Sequence, residues 1–167
     1  MAPDTTDKKP GFGSRGEVLV LIQFALMIGF AVLPVWHPGL GADAMDASGT
    51  LRGLLAALLA IVAVVFGGFG SVHLRDYLTP LPYPVDHSQL VQHGVYALVR
   101  HPLYASLLFA GAAWTVYNLS LSHLLTLVVA FLFFGYKAGK EEAWLTERHP
   151  EYAGYARRVK KFIPFVY

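Results

Sequence analysis

Apolar residues fall into four blocks separated by polar connections. Val18 to Trp36 is the first block and is long enough to cross a bilayer. Leu51 to about Val72 is the second, and the small residues Gly67, Gly68, Gly70 and Ser71 at its end permit close helix contact. Pro102 to Tyr117 is the third and is short for a crossing; a tight turn over Asn118 to Ser122 leads to the fourth, Leu124 to Tyr136. The helical period does not stop there. Glu141, Trp144, Leu145 and Arg148 share one face of a helix that continues from Lys137 into water, and Pro150 ends it. Tyr152 to Lys161 predicts a second, short amphipathic helix, and Phe162 to Tyr167 an apolar tail.

The connections divide the chain further. Residues 1–16, polar and rich in Pro, Gly and Lys, predict a disordered tail, which leaves 17–167 as one domain. His37 to Thr50 is a Gly/Asp loop. His73 to Arg100 is a long connection, and the closely spaced prolines of Leu78-Thr79-Pro80-Leu81-Pro82-Tyr83-Pro84 exclude regular helix from its first part. Long loops of this kind are functional or disordered.

Composition then fixes the class. With 55% hydrophobic and 14% charged residues among 167, the chain predicts an all-α integral membrane fold of four transmembrane helices. Cysteine is absent, which excludes disulfides, thiolate metal sites and thiol nucleophiles. The net charge of +2 conceals segregation: Lys8, Lys9 and Arg15 precede the first block, Arg75 and Arg100 lie in the middle connection, and seven Lys and Arg follow Tyr136. The loop after the first block has none until Arg52, and the later turn has none. By the positive-inside rule both termini and the middle connection face the cytoplasm. No broad basic face suggests a nucleic-acid partner.

That topology brings the cytoplasmic ends of the third and fourth blocks together, and the chemistry is concentrated there. Gly94 to Tyr104 reads GVYALVRHPLY. Pro102 suits the first position of a helix, whose free N–H groups and partial positive charge favour an anion beside Arg100. Arg100 and Arg158 can take carboxylates or phosphates, Glu141 and Glu142 an ammonium group, and Tyr96, Tyr104, Trp144, Tyr152 and Tyr155 a base or a cation. S-adenosylmethionine, with a carboxylate, an ammonium, a base and a sulfonium, would use all of them. The plainer reading is an interfacial anchor: arginines snorkelling, tyrosines in the headgroup belt, His101 structural, and Lys137 with Glu141 on a solvated face. His73, His87, His93, His101 and His149 lack the tight spacing of zinc motifs, and no metal site is expected.

From Leu78 onward the chain resembles the superfamily of isoprenylcysteine carboxyl methyltransferases and phospholipid methyltransferases. The residues that carry the resemblance are TPLPYP, then LVQHGVYALVRHPLY, then Glu141-Glu142-Ala143-Trp144-Leu145, Tyr152, Tyr155, Arg157-Arg158-Val159 and Ile163-Pro164-Phe165, together spanning residues 78–165. Val95 stands where the family often has Pro, and His149-Pro150 where Phe-Gly is usual. The resemblance implies methyl transfer from S-adenosylmethionine to a lipophilic acceptor that enters from the bilayer. It implies cofactor contacts at Tyr96, Arg100, His101, Pro102, Tyr104, Glu141 and Glu142. Arg100, His101, Glu142 and Arg158 are the candidate catalytic residues, Arg158 as the group that orients an anionic acceptor. A prenylcysteine-like carboxylate is the preferred acceptor and a phospholipid amine the alternative. Two other classes compete: an NADPH-dependent sterol-reductase-like enzyme, whose R-H-P is typically followed by Asn where this chain has Leu103, and a non-enzymic lipid-binding membrane protein.

Overall fold

The computed structural model describes residues 16–39, 41–75, 79, 81 and 89–167. The N-terminal tail and most of the proline-rich connection lie outside the described residues. The described residues form six α-helices in order: α1 Glu17–Val32, α2 Ala42–Ala47, α3 Gly49–Leu74, α4 Pro102–Asn118, α5 Leu121–Arg148 and α6 Tyr152–Arg158. A 3-10 turn, Gly94–Ala97, precedes α4, and the described residues form no strand beyond one isolated parallel bridge, Val99 to Lys160.

The apolar blocks became α1, α3, α4 and the first part of α5. Among the described residues two helices are long and apolar enough to cross a membrane: α3, with 26 residues, and α5, with 28. α1 has 16 residues and α4 has 17, each about 25 Å at a rise of about 1.5 Å per residue, short of a hydrocarbon core of about 30 Å. The outer face of α3 is an apolar stripe: Leu51, Leu54, Leu58, Ile61, Phe69 and Val72 are all exposed. An unpartnered stripe of that length suits lipid rather than water.

The closest helix pair is α3 with α4. Gly67 and Gly70 make that approach possible, because a Cβ on Gly70 would stand 3.1 Å from Leu103 and 3.3 Å from Pro102. α5 runs unbroken from the turn to Arg148 and ends before Pro150, as its period predicts. The short α2 was not anticipated; it interrupts the stretch read as a plain loop.

At the far end, away from the acidic pair, the elements are tied by polar contacts. Ser120 caps α5, and its Oγ lies 2.6 Å from Nδ1 of His123. Trp114 Nε1 donates to Nε2 of His123 at 3.2 Å, so Nδ1 carries the ring proton of the neutral imidazole. Leu121 N–H donates to Trp36 C=O at 2.7 Å, and Ser122 Oγ to Pro34 C=O at 2.7 Å, which fastens the end of α1 to the α4–α5 turn.

The buried core sits at the opposite end, where Phe66, Val95, Val99, Ala105, Phe134, Ala138 and Phe162 meet. Phe162 is fully buried, and its N–H bonds Tyr167 C=O at 2.7 Å, so the C-terminal tail folds back on this core.

Candidate active site

The segment before α4 is held against the C-terminal segment by its backbone. Arg100 N–H donates to Lys160 C=O at 2.7 Å, and His101 N–H to Lys161 C=O at 3.1 Å. Tyr155 Oη donates to Tyr96 C=O at 2.6 Å, and Tyr96 Oη reaches Gly70 C=O at 3.4 Å. Gly94 opens the segment at φ +61°, with the His73 ring where a side chain would project, so no other residue fits there without strain.

Arg100 is the staple of this arrangement. Its Nε and Nη2 both lie 2.9 Å from Oε1 of Glu142, and Nη1 donates to the carbonyls of Ala156 and Val159. Those carbonyls belong to the last turn of α6 and its cap, where helix geometry leaves acceptors without partners. Every nitrogen of the guanidinium therefore has a protein partner. Arg100 joins the start of α4, α5 and α6; it positions Glu142.

His101 precedes Pro102, the first residue of α4, and is buried. Its ring stacks on Tyr104 at 5.5 Å with an 11° interplanar angle. Nε2 lies 3.0 Å from Glu142 Oε1 and Nδ1 lies 3.5 Å from Glu141 Oε2. Burial alone would lower the imidazole pKa, but the bonds and charges of Glu141 and Glu142 outweigh it and raise the value above that of a free imidazole. The cation can donate from both ring nitrogens.

Glu141 and Glu142 occupy the polar extension of α5 beyond its apolar turns, and they face different partners. Glu142 pairs with Arg100, His101 and, at 3.6 Å, Lys161. Glu141 accepts from Tyr104 Oη at 3.0 Å and is the more exposed, its side chain at 27% against 17%. Tyr152 and Tyr155 lie buried beside the cluster, and burial raises both phenols out of the range in which they ionise. Tyr152 Oη is buried without a hydrogen-bond partner.

Of the expected site residues, Tyr96, Arg100, His101, Pro102, Tyr104, Glu141 and Glu142 come together in this cluster. Arg158 does not join it: the residue is exposed at the end of α6. Three participants were not foreseen. Lys161 pairs with Glu142. Lys137, read as part of a solvated face, is fully buried on α5 and donates to Gln23 of α1, with its ammonium 5.3 Å from the Tyr104 ring centroid. The one sequence signal for this pair is Gln23 itself, a polar residue inside an apolar run.

Below Tyr104 and Lys137 lies a cavity of about 400 Å³ between α1, α4 and α5. Met27, Phe30, Leu108, Trp114 and Phe134 are among the residues that line it. Phe134 stacks on Tyr104 at 5.1 Å, and Tyr104 bonds Glu141, so these two rings stand between the cavity and the acidic pair.

A helical protein with apolar outer faces, a polar cluster of acids and bases at one end and an apolar cavity beneath it is a membrane enzyme in outline. The family can be stated as well. Residues 55–147 match the model of the isoprenylcysteine carboxyl methyltransferase (ICMT) family, and the chain belongs to that family, a family of methyltransferases. It is 28% identical over 158 residues to protein-S-isoprenylcysteine O-methyltransferase B of Arabidopsis thaliana, covering 90% of this chain and 78% of the relative. To protein-S-isoprenylcysteine O-methyltransferase A of the same plant it is 29% identical over 120 residues, covering 71% of this chain and 58% of the relative. No solved structure gives a significant match.

Proposed function

We propose that the protein transfers a methyl group from S-adenosylmethionine to the carboxylate of a prenylcysteine-like lipid. The observation that carries this reading is the juxtaposition of the Tyr104–Glu141–His101–Glu142 cluster with the apolar cavity, whose wall residue Phe134 stacks on Tyr104. The names of the two plant relatives support the choice of acceptor.

The residues present fit such a cofactor. Glu141 offers a partly exposed carboxylate to an ammonium or sulfonium, and Tyr152 Oη is a buried polar atom in want of a partner. When bound, the cofactor supplies a methyl on sulfur: an O–C bond to the acceptor forms as the C–S bond breaks, sulfur keeps the electron pair, and no proton moves. Because no proton moves, the cluster needs no general base. Arg100 and His101 hold Glu142, and Tyr104 holds Glu141, so the acids are aligned before any ligand arrives. The cavity receives the apolar tail and keeps water from the reacting atoms. We read the cluster as facing the cytoplasm and all four long helices as crossing the bilayer, consistent with the distribution of Lys and Arg.

The test is methyl transfer from labelled S-adenosylmethionine to three acceptors: a farnesylated cysteine analogue, phosphatidylethanolamine and a short-chain polar acid. Transfer to the farnesylated acid alone is expected. Equal transfer to the polar acid would remove the role of the cavity, and transfer to phosphatidylethanolamine alone would replace the carboxylate by an amine.

A further inference from the structure

We infer that Lys137, aimed by Gln23, is the group that receives the carboxylate of the acceptor; the inference rests on the carboxyl-methyltransferase reading above. Three helices meet between the cavity and the acidic cluster, and each contributes one polar side chain there. Gln23 on α1 stands one turn before the cavity residues Leu26 and Met27. Tyr104 on α4 stands one turn before Leu107 and Leu108. Lys137 on α5 stands one turn after Phe134. The contacts close this collar: Lys137 Nζ bonds Gln23 Oε1 and lies 5.3 Å from the Tyr104 ring centroid. A lipid whose tail fills the cavity therefore has its head at Lys137, one ring from Glu141.

The chemistry of the position points the same way. Lys137 is wholly buried among residues of a membrane helix, where a cation is costly to keep and marks a ligand or ion path more often than a structural need. Glu141, one turn further along α5, accepts from Tyr104 at 3.0 Å, lies 3.5 Å from His101 and also acts on Lys137 through its charge. An arriving carboxylate gains a charge-assisted bond in a medium that screens it weakly. An ammonium placed there would meet a buried like charge. Methylation neutralises the carboxylate, so the ester loses its attraction to Lys137 and is released. Arg158, exposed at the end of α6, is not needed for this role.

The experiment is calorimetry without cofactor, comparing N-acetylated farnesylcysteine with its primary amide, on wild type, Lys137→Met, Lys137→Arg and Gln23→Leu. Wild type should prefer the acid by at least about tenfold. Lys137→Met should bind acid and amide alike, Lys137→Arg should keep the preference, and Gln23→Leu should lower it severalfold by releasing the side chain. S-adenosylhomocysteine should bind all four equally. Full acid preference in Lys137→Met overturns the inference, as does a loss confined to S-adenosylhomocysteine. Should Lys137→Met not fold, an unchanged preference in Gln23→Leu overturns it as well. A wild type that methylates only the aminolipid refutes the carboxylate reading itself; one that methylates the farnesylated acid while Lys137→Met keeps its preference refutes only the role of Lys137.

Discussion

Arg100 and Glu141 are both cofactor candidates by sequence, but their surroundings assign them different tasks. Arg100 gives all its nitrogens to Glu142 and to the end of α6, whereas Glu141 is tied by Tyr104 and partly exposed. Glu141→Gln should therefore weaken S-adenosylhomocysteine by about tenfold to a hundredfold, the loss of a charge-assisted contact of about 1.5–3 kcal/mol, with little change in melting temperature. Arg100→Ala should lower affinity and melting temperature together; intact stability in Arg100→Ala would show that it is no staple. His101 supplies a pH test. Its folded pKa is raised by Glu141 and Glu142 against the effect of burial, so its stabilising contribution is complete below the unfolded value of about 6.5 and is lost as pH climbs through the raised folded value. Wild type should lose melting temperature relative to His101→Gln as pH rises above about 6.5. Parallel curves for the two proteins would mean that the folded imidazole carries no extra proton.

At the scale of elements, the periodic pattern was informative where one helix face meets one solvent. The run of α5 through Glu141 and its end before Pro150 were legible because helical period and proline chemistry are local. Burial of Lys137 was not legible, since spacing groups Lys137 with Glu141 but does not say that α1 will pack over that turn and bring Gln23 to it. The same holds for Arg100: its residue type suggests an anion, while its α6 carbonyl partners are set by a backbone register between residues 99–101 and 160–161. Small residues at the end of α3 were legible as packing positions but not individually. Gly70 faces Pro102 and Leu103, whereas a Cβ at Gly68 meets nothing within 4 Å. Gly70→Leu should therefore destabilise the protein in detergent by about 1–3 kcal/mol and Gly68→Leu hardly at all. Equal losses would mean that α3 and α4 pack through another face.

For the whole molecule, the proposed topology puts the acidic cluster and the far-end Ser120–His123–Trp114 tie on opposite sides of a bilayer. α3 and α5 are long enough by themselves, but α1 and α4 are short, and the end of α1 is drawn to the α4–α5 turn by Pro34 and Trp36. If α1 and α4 cross, they do so by local thinning of the bilayer or by use of flanking residues, at a modest cost per ångström of mismatch. The chain has no cysteine, so single-cysteine variants report position without background. Leu98→Cys and Lys160→Cys sit at exposed positions beside the cluster, and Val35→Cys and Tyr117→Cys at exposed positions of the far end. In sealed vesicles a membrane-impermeant maleimide should label the first pair from the cytoplasmic face and the second pair from the other. Labelling of Val35→Cys and Tyr117→Cys from the cytoplasmic face would leave α1 and α4 lying in one leaflet, and the cavity between them would then open to that leaflet alone.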